Sequence, residues 1–293
     1  MKDTVKKPGV LLDFMLEMMK TDKKKSARQM LKFNGVKLDG KTVKRGDLEI
    51  KPGQVVEISR TEKPTGKLYC SAKSPIQIHF EDEAIIIAQK PAGLLSVSTE
   101  TEKKQTMHHI LYGYVERKEG GRVFAVHRLD RDVAGLMVFA KTVEIKTSLQ
   151  NEWEDVQKRY VALVSGKPPM PEGTVENWLQ EVAAQKVQVT EKGPGAKYAI
   201  TEYSTRKSMG THTLLDINLI TGRRHQIRVH LAHMGCPIVG DRIYGKGTYG
   251  SSDILLFSYF LSFRHPGTKK MLSFKVPIPT WEAPQFKGKG RKA

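Results

Sequence analysis

The sequence predicts an α+β protein in which a small N-terminal unit precedes a much larger domain. Three observations carry that reading. Two helix-like segments followed by hairpin signals fill the first 60 residues, and a strand-rich pattern interrupted by helices begins at residue 76. Between them RTEKPTGKLYCSAKSP mixes Pro64, Gly66 and Pro75 with charges, as a linker does. At 293 residues the chain also exceeds the usual length of one domain. The expected boundaries are a first unit over 1–60, a linker over 61–75, the main domain over 76–286 and a basic, Gly-rich tail over 287–293.

In the first unit Leu11, Leu12, Met15, Leu16 and Met19 recur at helical spacing. The polar break TDKKKS ends that segment, and Ser26 is placed to cap a second helix with Met30 and Leu31 inward, closed at Asn34-Gly35. Val36 and Leu38 then alternate into an Asp39-Gly40 turn, and VVEIS after Pro52-Gly53 supplies a further strand. The result is an αα-hairpin followed by a β-hairpin.

The main domain opens with the apolar runs IQIHF and AIIIAQK on either side of the acidic turn Glu81-Asp82-Glu83, then a turn at Lys90-Pro91-Ala92-Gly93. A strand (VFAVH), a loop, a strand (GLMVFAK), a helix and a strand (YVALVSG) follow between residues 123 and 166. In that helix Ile145, Leu149, Trp153 and Val156 share one apolar face. Thr221 and Gly222 can start another helix that runs through RRHQIRVHLAHM until Gly235 and Pro237 stop it, with Arg224, Arg228 and Leu231 on one stripe.

The formal charge of +18 points to a polyanionic partner, because each phosphate met by Lys or Arg releases counterions. Cys70 and Cys236 are far apart and form no C-x-x-C pair, which excludes a disulfide framework or zinc ribbon and suits a reducing cytoplasm. No apolar run approaches the ~20 residues a spanning helix needs, so no membrane is expected. Residues 1–60 hold 15 basic and 8 acidic side chains, a net of +7 centred on Lys23, Lys24, Lys25, Arg28, Lys32 and the Lys41–Arg45 turn.

Two families share these patterns. The two short helices and the hairpin in FNGVKLDGKTVKRGDLEIKPGQVVEIS resemble the alpha-L RNA-binding motif of a small-subunit ribosomal protein, which implies RNA contacts by Lys23, Lys24, Lys25, Arg28 and Lys32. The segments HRLDRDVAGLMVFAKT (127–142), KRYVALVSG (158–166) and LITGRRHQIRVHLAHMGCPIVGDRIYG (219–245) resemble, in order, the three signature motifs of RluA-type RNA pseudouridine synthases. AIIIAQKPAGLL and FLSFRHPGTKKMLSF resemble that family's Lys-Pro-x-Gly turn and closing hairpin, so the likeness runs from about residue 76 to 280. It implies a bent, largely antiparallel mixed sheet flanked by helices, and an enzyme that isomerises uridines in structured RNA. Ribosomal RNA of the large subunit is the first substrate to expect and transfer RNA the second, with the protein acting as a monomer.

The reaction breaks the bond from uracil N1 to ribose C1′, turns the bound base and re-forms the link through C5. There is no net redox change, so no cofactor is demanded. What is demanded is an ionised carboxylate beside C1′, either attacking it or removing a ribose proton to give a glycal. The resemblance assigns that carboxylate to Asp130, in the loop between VFAVH and GLMVFAK. Asp132 is the local rival but matches a variable position and is left to solvent or Arg131. An enclosed carboxylate stays ionised only beside a fixed positive charge, and the family motif puts Arg228 in that role. Tyr160, in the Lys-x-Tyr motif, is implied to stack its ring on uracil, with its hydroxyl helping to remove the final C5 proton.

A uridine in folded RNA must also be flipped out of its stack. Arg128 is implied to fill the space it leaves, and Arg223, Arg224, His225 and Gln226 are expected to face phosphates. The chain departs from the family pattern at Ala134, where serine is frequent, and at Leu256-Phe257-Ser258, where Leu-His-Ala is usual.

Other classes fit less well. Gly245, Gly247 and Gly250 match G-x-G-x-x-G but lack a clean preceding strand and a following acidic residue. His225, His230, His233 and Asp241 could suggest a metal site. A non-catalytic RNA-binding or ribosome-assembly factor would explain the charge but not the set Asp130, Tyr160 and Arg228.

Overall fold

The computed structural model describes residues 2–22, 24, 27–28, 31, 36–58, 67–68, 75–183, 186–245 and 253–281. They fall into two compact units, Met1–Gly66 with Tyr114–Gly121, and Lys67–Gly113 with Arg122–Ala293. Most of the expected second helix, including Ser26 and Met30, lies outside the described residues, as do the Asn34-Gly35 stop, Cys70, Gly247, Gly250 and the basic tail.

In the first unit β1 (Lys2–Thr4), β3 (Val36–Leu38), β4 (Lys41–Thr42) and β6 (Val55–Ile58) form a sheet in the order β1-β6-β3-β4, while β2 (Gly9–Val10) pairs β5 (Glu49–Ile50). Helix α1 (Leu11–Met19) buries Leu11 and Met15 with Val5, Ala27, Leu31, Val36, Ile50, Val56 and Ile58. The Asp39-Gly40 turn forms as expected, with φ of +48° and +78°, the backbone a two-residue hairpin needs. Asp39 also ties that hairpin to its neighbour, accepting from the Val55 N–H at 2.8 Å and from Gln54 Nε2 at 2.9 Å. Two features lay beyond the periodicity of the sequence. Residues 2–4 add an edge strand, and Tyr114–Gly121 joins this unit from far along the chain.

The second unit is built on one twelve-stranded mixed sheet. Its strands are β7 (Lys67–Leu68), β8 (Ile76–Glu81), β9 (Ile85–Lys90), β10 (Phe124–Ala125), β11 (Ala134–Ala140), β12 (Gln157–Ser165), β13 (Glu172–Ala183), β14 (Lys186–Thr190), β15 (Lys197–Met209), β16 (His212–Leu219), β17 (Leu256–Arg264) and β18 (Met271–Lys275). The order is β14-β13-β15-β16-β12-β17-β11-β9-β8-β7, with β10 on β11 and β18 on β17. Its pairings are antiparallel apart from β11 with β17. The helices are α2 (Met107–Glu119), whose residues from Tyr114 on group with the first unit, α3 (Val143–Asn151) and α4 (Gln226–His233).

Three expectations need correction. Lys67–Leu68 pair with β8, so the expected linker already contains a sheet strand. VFAVH keeps only Phe124–Ala125 as strand because side chains take over the next ladder bonds: the Val138 N–H of β11 donates to the His127 ring and the Val126 carbonyl accepts from Gln150 Nε2. The helix begun at Thr221 starts instead at Gln226, because His225 is left-handed at φ +54° and Thr221 caps a strand neighbour, accepting from the Ile200 N–H at 2.9 Å. Arg224 therefore shares no helical stripe with Arg228. The apolar face of Ile145, Leu149, Trp153 and Val156 does pack into the core, although α3 ends at Asn151 and Trp153 sits in a short 3₁₀ turn.

The sheet brings β12 and β11 to either side of β17. Ser258 of β17 stands beside Gly135 of β11 and beside Tyr160 of β12. The parallel approach is so close that a Cβ on Gly135, whose φ is +133°, would lie 2.2 Å from the Ser258 carbonyl oxygen. That contact sets the loop entering β11 next to Tyr160.

Candidate active site

The loop 127–131 is braced from both sides. His127 Nε2 accepts from the Val138 N–H at 3.1 Å, and its ring stacks on Trp153 at 4.6 Å. Burial, with the nearby Lys158 charge, pulls its pKa down to about 3, so the imidazole is a neutral acceptor. Across the loop, Ser96 Oγ donates to the Leu129 carbonyl at 2.6 Å and accepts from the Leu129 N–H at 3.0 Å. Lys90, fully buried, points its Nζ at the carbonyls of Pro91, Leu94 and Arg131 at 3.1, 2.7 and 2.8 Å. Three acceptors match the three donors of an ammonium, so one side chain pins the KPAG turn to the Asp130 loop. Burial nevertheless lowers the Lys90 pKa to about 7, with the Asp132 and Asp130 charges opposing that shift.

Asp130 is 27% exposed, and Arg228 Nη1 donates to its Oδ2 at 3.0 Å. The rest of that guanidinium forms a fork on Asp241, Nε to Oδ2 at 2.8 Å and Nη2 to Oδ1 at 2.9 Å. Asp241 is wholly buried and also accepts from the N–H groups of Ile243 and Tyr244. Burial alone would lower the Arg228 pKa, but the two carboxylates win and raise it, so the guanidinium is always charged. Asp241 likewise pays desolvation yet is held below the usual carboxylate range by Arg228. Among the described residues no hydrogen bond to Asp130 Oδ1 is made, so one oxygen is fixed by Arg228 and the other has no protein donor on it.

Tyr160 is 6% exposed, and burial, helped by the Asp130 charge, pushes its hydroxyl up to about 12. His225 was expected to face phosphate; its Nε2 instead lies 3.7 Å from Asp130 Oδ2 and its Nδ1 2.9 Å from the Tyr244 hydroxyl. Gln226 does not face outward at all. At 2% exposure it donates to Ile200 O and Thr201 Oγ1 and accepts from Thr221 Oγ1 and the Arg223 N–H, so its amide is spent inside the fold. Arg128 and Arg223 are exposed, and Arg224 pairs with Glu181 at 2.8 Å. In the first unit Lys24 and Arg28 are exposed, whereas Lys23, Lys25 and Lys32 lie outside the described residues. Asp132 is exposed, as expected.

Lys90, Ser96, Asp241 and Tyr244 were missed as parts of this arrangement. Asp241 had drawn notice only as a metal ligand, but its oxygens are committed to Arg228 and backbone donors, and His230 Nδ1 bonds Thr201. The sole hint for Lys90 was its place before a Pro-Ala-Gly turn.

Residues 84–233 match the family model described as RNA pseudouridylate synthase. The chain is 32% identical over 265 residues to the ribosomal large subunit pseudouridine synthase D of Vibrio cholerae, covering 83% of this chain and 81% of that protein. It is 30% identical over 269 residues to the protein of the same name from Pseudomonas aeruginosa, covering 85% and 82%. Among solved structures, human RNA pseudouridylate synthase domain containing 4 superimposes with a TM-score of 0.58 at 22% identity, over 69% of this chain and 88% of that one, a likeness of fold.

Proposed function

Since the chain belongs to the RNA pseudouridylate synthase family and is therefore an isomerase, we propose that it converts uridines of large-subunit ribosomal RNA to pseudouridine, with Asp130 as the carboxylate that opens the glycosidic bond. The relatives named for the large ribosomal subunit support that substrate, and the charge of +18 suits any RNA. The observation that carries the mechanism is the asymmetry of Asp130. Arg228 fixes Oδ2, which leaves Oδ1 to meet the sugar.

In the reaction the flipped uridine enters beside Asp130, and the N1–C1′ bond breaks with its electron pair leaving on uracil. Oδ1 either bonds C1′ directly or takes the C2′ proton. The base turns, C5 bonds C1′ as the Asp130 ester or glycal reverts, and C5 then loses its proton to solvent while N1, which carried the electron pair, takes one up, so the net change is an isomerisation. Tyr160 supports the uracil ring from below as a neutral phenol. With a pKa near 12 its hydroxyl serves as a donor or contact at physiological pH and not as a ready base. Arg128 takes the vacated place in the RNA, and the basic alpha-L-like first unit, with Lys24 and Arg28, adds affinity for phosphates.

The direct test uses purified protein and large-subunit RNA transcribed without modifications. Carbodiimide-dependent reverse-transcription stops should appear at discrete uridines in that RNA and be absent from a transfer RNA control. Stops in transfer RNA alone would move the substrate, and stops in neither would remove the activity.

A further inference from the structure

Beside the Asp130–Arg228 pair stands a second donor that the fold goes to some trouble to place. His225 closes the N-terminal end of α4 in the left-handed region at φ +54°. That conformation is strained for a residue with a Cβ, whereas glycine adopts it freely. What the position gains is contact, because the ring reaches Asp130 on one side and Tyr244 on the other.

The protons of this chain can be assigned. The Val187 N–H donates to the Tyr244 oxygen at 2.9 Å, so the phenol's own proton needs another acceptor. His225 Nδ1, 2.9 Å away, meets that need. A neutral imidazole that accepts at Nδ1 carries its proton on Nε2, and Nε2 is the nitrogen 3.7 Å from Asp130 Oδ2. The neutral form is the one favoured, since burial and the Arg228 and Arg224 charges lower the His225 pKa against the pull of Asp130 and Asp241. Tyr244 is in turn fixed from above, with the Arg228 guanidinium 5.1 Å from its ring centre.

We propose that His225 is a positioning residue for the isomerisation. Its Nε2–H, directed by Tyr244, joins Arg228 on Asp130 Oδ2 and so holds Oδ1 as the oxygen presented to the ribose. A neutral donor constrains the carboxylate without adding a second full positive charge, which would make the anion less reactive. At 3.7 Å the two atoms are further apart than a formed hydrogen bond, and the positioning role requires this gap to shorten when the nucleotide binds. This inference rests on the Asp130 reading above.

The test compares wild type, His225→Gly, His225→Asn and Tyr244→Phe in single-turnover tritium release from 5-tritiated large-subunit RNA at saturating protein. His225→Gly suits the left-handed backbone, and asparagine tolerates it as well, so a folding failure of one leaves the other to report. The rate should fall between about tenfold and 100-fold in His225→Gly and His225→Asn while RNA affinity stays within about twofold. Added imidazole should restore part of the His225→Gly rate. Tyr244→Phe should fall less and be unaffected by imidazole. A wild-type rate in both His225 variants, a loss that imidazole does not relieve, or a loss confined to RNA affinity would overturn the proposal. An inactive wild type would instead remove the Asp130 reading on which it stands.

Discussion

Arg228 places Nη1 3.0 Å from Oδ2 of Asp130 while its other donors grip the buried carboxylate of Asp241. One guanidinium is thus anchored inside the fold and extended into the site, a geometry that a single ammonium cannot copy. Arg228→Lys can serve one carboxylate and leaves the other short of donors. Its isomerisation rate should fall by about 100-fold or more. Thermal unfolding should show a loss of about 3 kcal/mol, because a buried carboxylate loses its partner. A variant with both quantities near wild type would separate Arg228 from the site.

Asp241 makes the same anchor sensitive to acid. Its folded pKa lies below the ordinary carboxylate value, so it stabilises the fold at neutral pH and that contribution is lost as pH falls through the carboxylate range. In Asp241→Asn the acid-induced fall in the denaturant midpoint should be shallower than in wild type, from a lower starting point at pH 7. Parallel curves would show that Asp241 does not titrate with folding.

Lys90 responds in the opposite window. Its folded pKa of about 7 lies below its ordinary 10.5, so the unfolded chain binds more protons between those values. Stability should therefore rise with pH from about 7 upward, by at most about 1.4 kcal/mol per unit from this group. Lys90→Met, which cannot titrate, should lose that rise, and the difference between the two proteins should change steadily between pH 7 and 9. A constant difference would mean that the carbonyl cage keeps the ammonium at its usual strength.

Gly135 and Gly93 separate crowding from backbone strain. Both have positive φ, but a Cβ at Gly93 meets open space whereas one at Gly135 strikes the Ser258 backbone. Gly93→Ala should cost about 1 kcal/mol, and Gly135→Ala at least about 3 kcal/mol with loss of the β11–β17 pairing. Similar unfolding temperatures for the two variants would contradict the close approach.

Much of this was legible in the chain. Short apolar runs in AIIIAQK, GLMVFAK and KRYVALVSG mark the strands that frame the site, and the Asp39-Gly40 pair marks its hairpin. Asp130, Tyr160 and Arg228 were drawn from motifs, and Asp130 and Arg228 do meet in space. What stayed hidden depends on long-range geometry. No local pattern tells that Gln226 turns inward to four partners, that His225 breaks the helix to face Asp130, or that Lys90 reaches the Arg131 carbonyl 41 positions away.

Arg128 and Gln226, once grouped as RNA contacts, should now behave differently. Arg128→Ala should lower the salt slope of RNA affinity by about 1 with little change in stability. Gln226→Ala should cost about 2 kcal/mol or more of stability, from orphaned buried partners, and leave the slope unchanged. Filter binding across a salt series and thermal unfolding read the two effects, and the reverse assignment would contradict their placement.

The central claim concerns one oxygen of Asp130 at the ribose. A single-turnover assay of Asp130→Asn on unmodified large-subunit RNA tests it most directly, since the amide keeps the size of the side chain and, through its one oxygen, an acceptor for Arg228, but loses the charge and the second acceptor. The expected result is no detectable pseudouridine with RNA affinity within a few fold of wild type. Pseudouridine formed by Asp130→Asn at a rate near that of wild type would contradict it.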